Sequence, residues 1–419
     1  MIHARTATRF AHDRLVNGIL AALIVSISWA GAARANDPAN PVAAALAMEK
    51  SDRLPLTSFY STPGNLSETH PGDLLRSEPF DGYALPKGAT AVRILYHSLS
   101  STGTDVATSG VVLIPAGTPP PGGWPIIAWA HGTSGVARVC APSAMKDVYY
   151  GKDGLMPMVA AGYAVVATDF HGLGTAGAHE YLSKLAQARD VIFSVPAARA
   201  AVPALGKRWV VDGHSQGGLA SWGVAEVEHE LRDSDYLGAV SVASGVREAG
   251  FFQHLNATPG LGFLMSYIAF GIHAHYPSFR PENFLSKAAL EHDADVTTKG
   301  CWVYGAAVDR GIPAGSFLRP HAERSRWVHR YLAGFSLGRV PADGPILVLA
   351  GEADQIVPID GVRATVRHAC RVGQQVTLRT YPGLDHHSVM VKSTPDQLAW
   401  IKARFEGEPA TTSCPTVGR

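Results

Sequence analysis

The sequence predicts an α/β fold: a mainly parallel central sheet flanked by helices, with a helical cap inserted late in the chain. Three observations carry this. Apolar strand-like runs alternate with helix-like periodicity from Ala91 to Phe405, the pattern of successive βαβ units with right-handed crossovers. The stretch Trp209-Val210-Val211-Asp212-Gly213-His214-Ser215-Gln216-Gly217-Gly218-Leu219-Ala220 reads as strand, sharp turn and helix in immediate succession. The alternation then stops between about Arg247 and Gly338, where aromatic and aliphatic residues such as Phe251, Phe252 and the run Leu261 to Ile272 crowd into short helical pieces.

Taken in order, residues 36–75 read as a leader wrapping the surface. Ala91 to Ser98 and Gly110 to Pro115, joined through the turn-like Ser101-Thr102-Gly103, form an antiparallel opening pair. Thr118-Pro119-Pro120-Pro121-Gly122-Gly123 is a loop, because its prolines lack donors and its glycines favour turns. Pro125 to Ala130 is an uninterrupted apolar strand that ends at His131-Gly132-Thr133-Ser134. Tyr163 to Thr168 is another buried strand, and a helix from about Leu182 to Ala201 is expected to kink or break near Pro196. Leu237 to Ala243 and Pro345 to Ala350 supply further strands. Helix Gly361 to Val372, strand Gln375 to Tyr381 and helix Pro395 to Phe405 complete the sheet layer. The domains are therefore a core in two parts, 36–246 and 339–405, a cap over 247–338, and a tail over 406–419.

The chain has 419 residues, 46% hydrophobic and 17% charged, which fits one large core with an insertion better than three separate domains. Residues 1–35 read as a secretory signal peptide: Arg5, Arg9 and Arg14 form a basic start, Leu15 to Trp29 an apolar middle, and Ala33-Arg34-Ala35 a small-x-small cleavage site. A membrane anchor is the alternative, but Asn17 and Gly18 interrupt a run already short for a span. Removing this segment takes the formal charge from +1 to −2. A near-neutral mature protein, secreted or periplasmic, argues against nucleic acid as a partner. Cys140, Cys301, Cys370 and Cys414 in an exported chain read as two disulfides, and spacing leaves all three pairings open.

The chemistry centres on Gly213-His214-Ser215-Gln216-Gly217. A nucleophilic serine must stand on a strained strand-to-helix turn, where neighbouring side chains would clash. The N–H of Gln216 then points to where an oxyanion forms. Gly334-Phe335-Ser336-Leu337-Gly338 matches the same five-residue pattern, but it follows a helix and enters a loop, so Ser336 reads as a surface or helix-end serine. A serine hydroxyl needs a base, and the base an orienting acid. Asp354, just after an apolar strand, is the expected acid, with Glu352 the alternative. His386, three residues after the turn glycine Gly383, is the expected base, with His387 the alternative. Thr133, and next to it Ser134, is expected to supply the second oxyanion donor. His273, His275, His321 and His329 show no ligand spacing, so no metal and no cofactor are expected.

With these residues in place the chain resembles the α/β-hydrolase superfamily over Ala91 to Phe405, where the order Ser…Asp…His is the usual one. More narrowly, it is similar to the secretory lipases of the fungal lipase A type. Cys140-Ala141-Pro142-Ser143 after the oxyanion loop, Gly213 to Gly218, the position of the cap, and Gly351-x-x-Asp354 followed by His386 carry that resemblance. It implies an acyl-ester hydrolase whose cap forms the acyl tunnel, and the pairings Cys140–Cys301 and Cys370–Cys414. His131-Gly132-Thr133 replaces the acidic oxyanion-loop residue of the fungal lipases, so their long-chain preference does not transfer automatically. The substrate is then a small-molecule or lipid ester, the cap offering transient contact with a lipid interface, and the oligomeric state is open. The same triad also serves acyltransfer or cleavage of a peptide or polyester. A non-catalytic binding protein of the same fold is the reading from another class.

Overall fold

A computed structural model describes residues 40–245 and 250–414. The expected signal peptide lies outside the described residues.

Among the described residues nine strands form one sheet in the order β1-β2-β3-β5-β4-β6-β7-β8-β9. They are β1 (Leu74–Pro79), β2 (Thr90–Leu99), β3 (Asp105–Ile114), β4 (Trp124–Ala130), β5 (Ala164–Thr168), β6 (Leu205–His214), β7 (Tyr236–Val242), β8 (Ile346–Gly351) and β9 (Val376–Tyr381). The first three are antiparallel, and β3 meets β5 antiparallel; from β5 to β9 every neighbour is parallel. The mainly parallel α/β expectation holds. Strand β1 was not anticipated, since Leu-Leu-Arg-Ser-Glu-Pro is half-exposed along most of its length and carries two charges. It is an edge strand, where one face and one side meet water.

Helices α1 (Pro41–Asp52), α2 (Leu155–Ala160), α3 (Lys184–Ala201) and α4 (Gln216–Val227) precede or punctuate the first strands. Next come α5 (Gly250–Ala257), α6 (Leu264–His275), α7 (Lys287–Thr298), α8 (Trp302–Val308) and α9 (Arg326–Phe335), and then α10 (Ile359–Arg371), α11 (His386–Lys392) and α12 (Thr394–Phe405). Buried apolar clusters lie on both sheet faces: α3 and α4 with α10 cover one, α2 with α12 the other. A third cluster, built around Phe252, Phe263, Tyr267 and Phe284, belongs to α5 through α9.

Three local expectations are refined. The supposed leader contains α1, whose Glu49 carboxylate accepts the Cys301 and Tyr304 amides at 2.8 Å each and so caps α8 from outside. Helix α3 runs through Pro196 without breaking, because tertiary burial of Val191, Ile192, Val195 and Ala198 outweighs one missing hydrogen bond. Ser336 does end a helix, but it is fully buried, its hydroxyl bonded to the Leu332 carbonyl at 3.0 Å.

Two disulfides, Cys140–Cys301 and Cys370–Cys414, tie the fold in the pairing that the resemblance implies. The second holds the C-terminal segment along the open side of β9: Ser413 donates its amide to the Val376 carbonyl at 2.7 Å, and Ser413 Oγ accepts the Leu378 amide at 3.0 Å. A strap on an edge strand shields its unpaired backbone groups. Cys414→Ser is expected to cost about 2–4 kcal/mol of stability, read by urea unfolding, with activity per folded molecule unchanged. An unaltered midpoint would show that the hydrogen bonds alone hold the strap.

Candidate active site

The site forms where parallel strands end at their carboxyl edge, the place open α/β sheets use for ligands. β6 ends at His214, Ser215 stands at φ 59° and ψ −117°, and α4 begins at Gln216. A non-glycine residue at such angles carries about 1–3 kcal/mol of strain. Backbone collisions explain the flanking glycines. A Cβ on Gly217 would come 1.8 Å from the Ala130 carbonyl oxygen, and one on Gly213 would come 2.3 Å from the Gly217 oxygen. No side chain can move those atoms aside, because they belong to the ends of β4 and α4.

The structure brings Ser215, His386 and Asp354 into one line. Ser215 Oγ donates to His386 Nε2 at 2.8 Å, and His386 Nδ1–H donates to Asp354 Oδ2 at 2.8 Å. A carboxylate can only accept, which fixes that tautomer. Asp354 follows β8, and its Oδ1 accepts the Ile356 and Val357 amides at 2.8 Å each, locking the carboxylate in place. Glu352 instead faces Arg363 at 3.0 Å on the surface. His386 opens α11, whose first turn is pinned by a capping box between Asp385 and Ser388. His387 turns away, to Asp153 at 3.4 Å. The helix at this point has no sequence signal, since Asp-His-His-Ser shows no apolar period.

Thr133 and Gln216 both lie beside Ser215, lining a small cavity whose wall is mainly apolar. The Gln216 amide is in the first turn of α4, where N–H groups have no partner within the helix and the dipole favours negative charge. Ser134 does not share this cavity: its hydroxyl donates to the Cys140 carbonyl at 2.8 Å. The far wall comes from Phe251, Leu255, Leu264, Trp302 and Phe335.

Three residues that spacing could not have flagged support the line. His214 Nε2–H donates to the His386 carbonyl at 2.8 Å; burial, and then the neighbouring His386, holds its pKa well below the usual histidine value, so it stays neutral. Gln216 Nε2 donates to His179 Nε2 at 2.9 Å, and burial, followed by the charge on His171, lowers His179 to about 3. Tyr181 shares a hydrogen bond with Thr133 Oγ1 at 2.9 Å. All three are set by packing across elements far apart in sequence. Among the described residues no cluster of metal-ligand type is found.

A family model described as secretory lipase matches residues 323–413. A probable inactive lipase of Mycobacterium tuberculosis (strain CDC 1551 / Oshkosh) is 26% identical over 390 residues, 86% of this chain and 85% of the relative. A secreted triacylglycerol lipase of Malassezia globosa is 25% identical over 385 residues, 85% of this chain and 80% of that protein. Among solved structures, Candida antarctica lipase A in its closed state superposes with a TM-score of 0.73 at 18% identity, covering 87% of this chain and 90% of that one. The rice cell wall degrading esterase LipA of Xanthomonas oryzae gives 0.66 at 19% identity, covering 81% and 100%. The α/β-hydrolase fold and the resemblance to the secretory lipases stand on these findings.

Proposed function

We propose that this α/β-hydrolase, similar to the secretory lipases, is an exported serine hydrolase that cleaves acyl esters through an acyl-enzyme on Ser215. That it is a carboxylic ester hydrolase follows from the family match and from relatives that are lipases. The observation that carries the mechanism is the pair of 2.8 Å contacts joining Ser215, His386 and Asp354.

His386 takes the Ser215 proton as Oγ attacks the ester carbonyl, and Asp354 steadies the imidazolium that results. The Gln216 and Thr133 amides receive the oxyanion. His386 then protonates the leaving alcohol, and water repeats the sequence in reverse to free the acid. Burial of Thr133 and Gln216 (6% and 2% exposed) keeps these dipoles in a low-dielectric setting where they act strongly. Residues 247–338 serve as the cap, and its Phe251, Leu255, Leu264 and Phe335 suit an apolar acyl chain. Two disulfides support an oxidising compartment, in keeping with a signal peptide over 1–35.

The test is hydrolysis of p-nitrophenyl esters from acetyl to palmitoyl, together with a fluorophosphonate probe. Labelling of Ser215 and a maximum at long chains is the expected result. A short-chain maximum would make this a carboxylesterase with a narrow pocket. Faster turnover on adding a second alcohol, with ester products, would favour acyltransfer. The Mycobacterium relative is named a probable inactive lipase, which favours a second reading, a binding protein of the same fold. Folded protein that neither labels nor turns over would establish that one.

A further inference from the structure

Met48, Leu85, Met145, Tyr150, Met156 and Trp302 line a second and larger cavity, with about 1760 Å3 of space open to solvent. Ser215 does not line it. Trp302 is the one residue common to the linings of both cavities, and its amide is fixed by the Ser134 carbonyl at 2.8 Å.

The cavity is held in a disfavoured backbone conformation. Val148, Tyr149 and Tyr150 have φ of 56°, 50° and 66°, three successive non-glycine residues in the left-handed region that L-residues avoid. Strain of this kind persists only where the surroundings fix it, and it clusters at ligand sites. Here the turn carries both tyrosines beneath the catalytic loops. Tyr149 donates its hydroxyl to the Thr133 carbonyl. The Tyr150 ring packs 5.7 Å from that of His214 and 5.8 Å from that of His387.

Several of the charged groups around this space are engaged, and Arg53 and Lys152 also line it. Glu49 caps α8, Asp153 faces His387 at 3.4 Å, and Asp147 accepts the Tyr149 amide at 2.8 Å. The rings of Tyr149, Tyr150 and Trp302 and the thioethers of Met48, Met145 and Met156 supply much of the apolar wall, surfaces that favour a planar apolar group.

An ester has two halves, and the catalytic line orders them. Ser215, Thr133 and Gln216 line the first cavity, so the acyl half bonded to Ser215 belongs there. The leaving oxygen must approach His386, whose ring packs 4.7 Å from that of His214, the same ring that Tyr150 packs against at 5.7 Å. From this juxtaposition we propose that the second cavity is the leaving-alcohol subsite and selects esters of bulky aromatic alcohols. The inference rests on the ester-hydrolase reading above. In the step itself the acyl C–O bond breaks, and the alcohol departs carrying the proton delivered by His386.

Butyrates of ethanol, 2-phenylethanol and 2-(2-naphthyl)ethanol share one acyl half and have leaving groups of similar acidity. kcat/KM is expected to rise on the order of tenfold or more from the first to the last. Leu85→Trp and Met48→Trp fill the cavity from two separate elements. Each should remove that preference, weaken competitive inhibition by free 2-(2-naphthyl)ethanol, and leave ethyl butyrate hydrolysis unchanged. Ethyl butyrate hydrolysis with no preference among the alcohols overturns the subsite, as does an equal loss on all three esters in both variants. If no ester is cleaved and Ser215 takes no fluorophosphonate, it is the ester-hydrolase reading that has failed, and the subsite falls with it.

Discussion

Ser215→Ala is expected to lower kcat on a p-nitrophenyl ester by about 10^6-fold while leaving the thermal midpoint nearly unchanged. The hydroxyl makes one functional contact, to His386 Nε2 at 2.8 Å, and alanine removes it without disturbing the glycines that shape the turn. The oxyanion donors remain, so a residue of about 10^3–10^4-fold over water should persist. Because nucleophile and base act as a unit, adding His386→Ala to Ser215→Ala should cost almost nothing more. Ser336→Ala is the matched control: it lies in the other Gly-x-Ser-x-Gly pattern, but its hydroxyl is spent on the Leu332 carbonyl. Single-turnover kinetics on purified protein decides the matter. Full activity in Ser215→Ala, or its loss in Ser336→Ala, would mean that the nucleophile has been misassigned.

Asp354→Asn should be nearly as damaging, about 10^4-fold in kcat, for a reason visible in the hydrogen bonds. Oδ1 of Asp354 accepts two backbone amides, from Ile356 and Val357. In the asparagine variant that position must keep the carbonyl oxygen, since an NH2 there would face two donors. The NH2 is therefore turned toward His386, which must present Nδ1 as an acceptor and carry its proton on Nε2. A protonated Nε2 cannot accept the Ser215 hydroxyl. KM should change little, and the loss should not be recovered by raising the pH, because it comes from a tautomer rather than a titration. Glu352→Gln, which touches only the exposed Arg363, should be silent. Retained activity in Asp354→Asn alongside a loss in Glu352→Gln would reverse the two carboxylates.

The parts of this protein legible in the sequence are those governed by local collisions and by burial on both faces. The strands Ile126 to Ala130 and Val210 to Val211 read plainly because both faces are covered, leaving no polar alternation to mistake. The turn at Ser215 read plainly because a Cβ on Gly213 or Gly217 would meet backbone oxygens at 2.3 and 1.8 Å, far inside van der Waals contact. β1 was missed because an edge strand needs no apolar period. α1 was missed because its purpose is at a distance, capping α8 with Glu49 across 252 residues.

What the sequence by itself determined is thus the layer architecture and the presence of a serine, a carboxylate and a histidine at three strand ends. What only the tertiary structure decided is which neighbour of each pair reaches the line. On α11 successive side chains diverge by about 100°, so His386 meets Ser215 while His387 meets Asp153, one residue apart in sequence and opposed in direction. The same holds for the pairing of four cysteines and for the turn that sets Tyr149 and Tyr150 under the oxyanion loop. These choices rest on contacts between segments brought together only when the sheet has closed, and no local pattern encodes them.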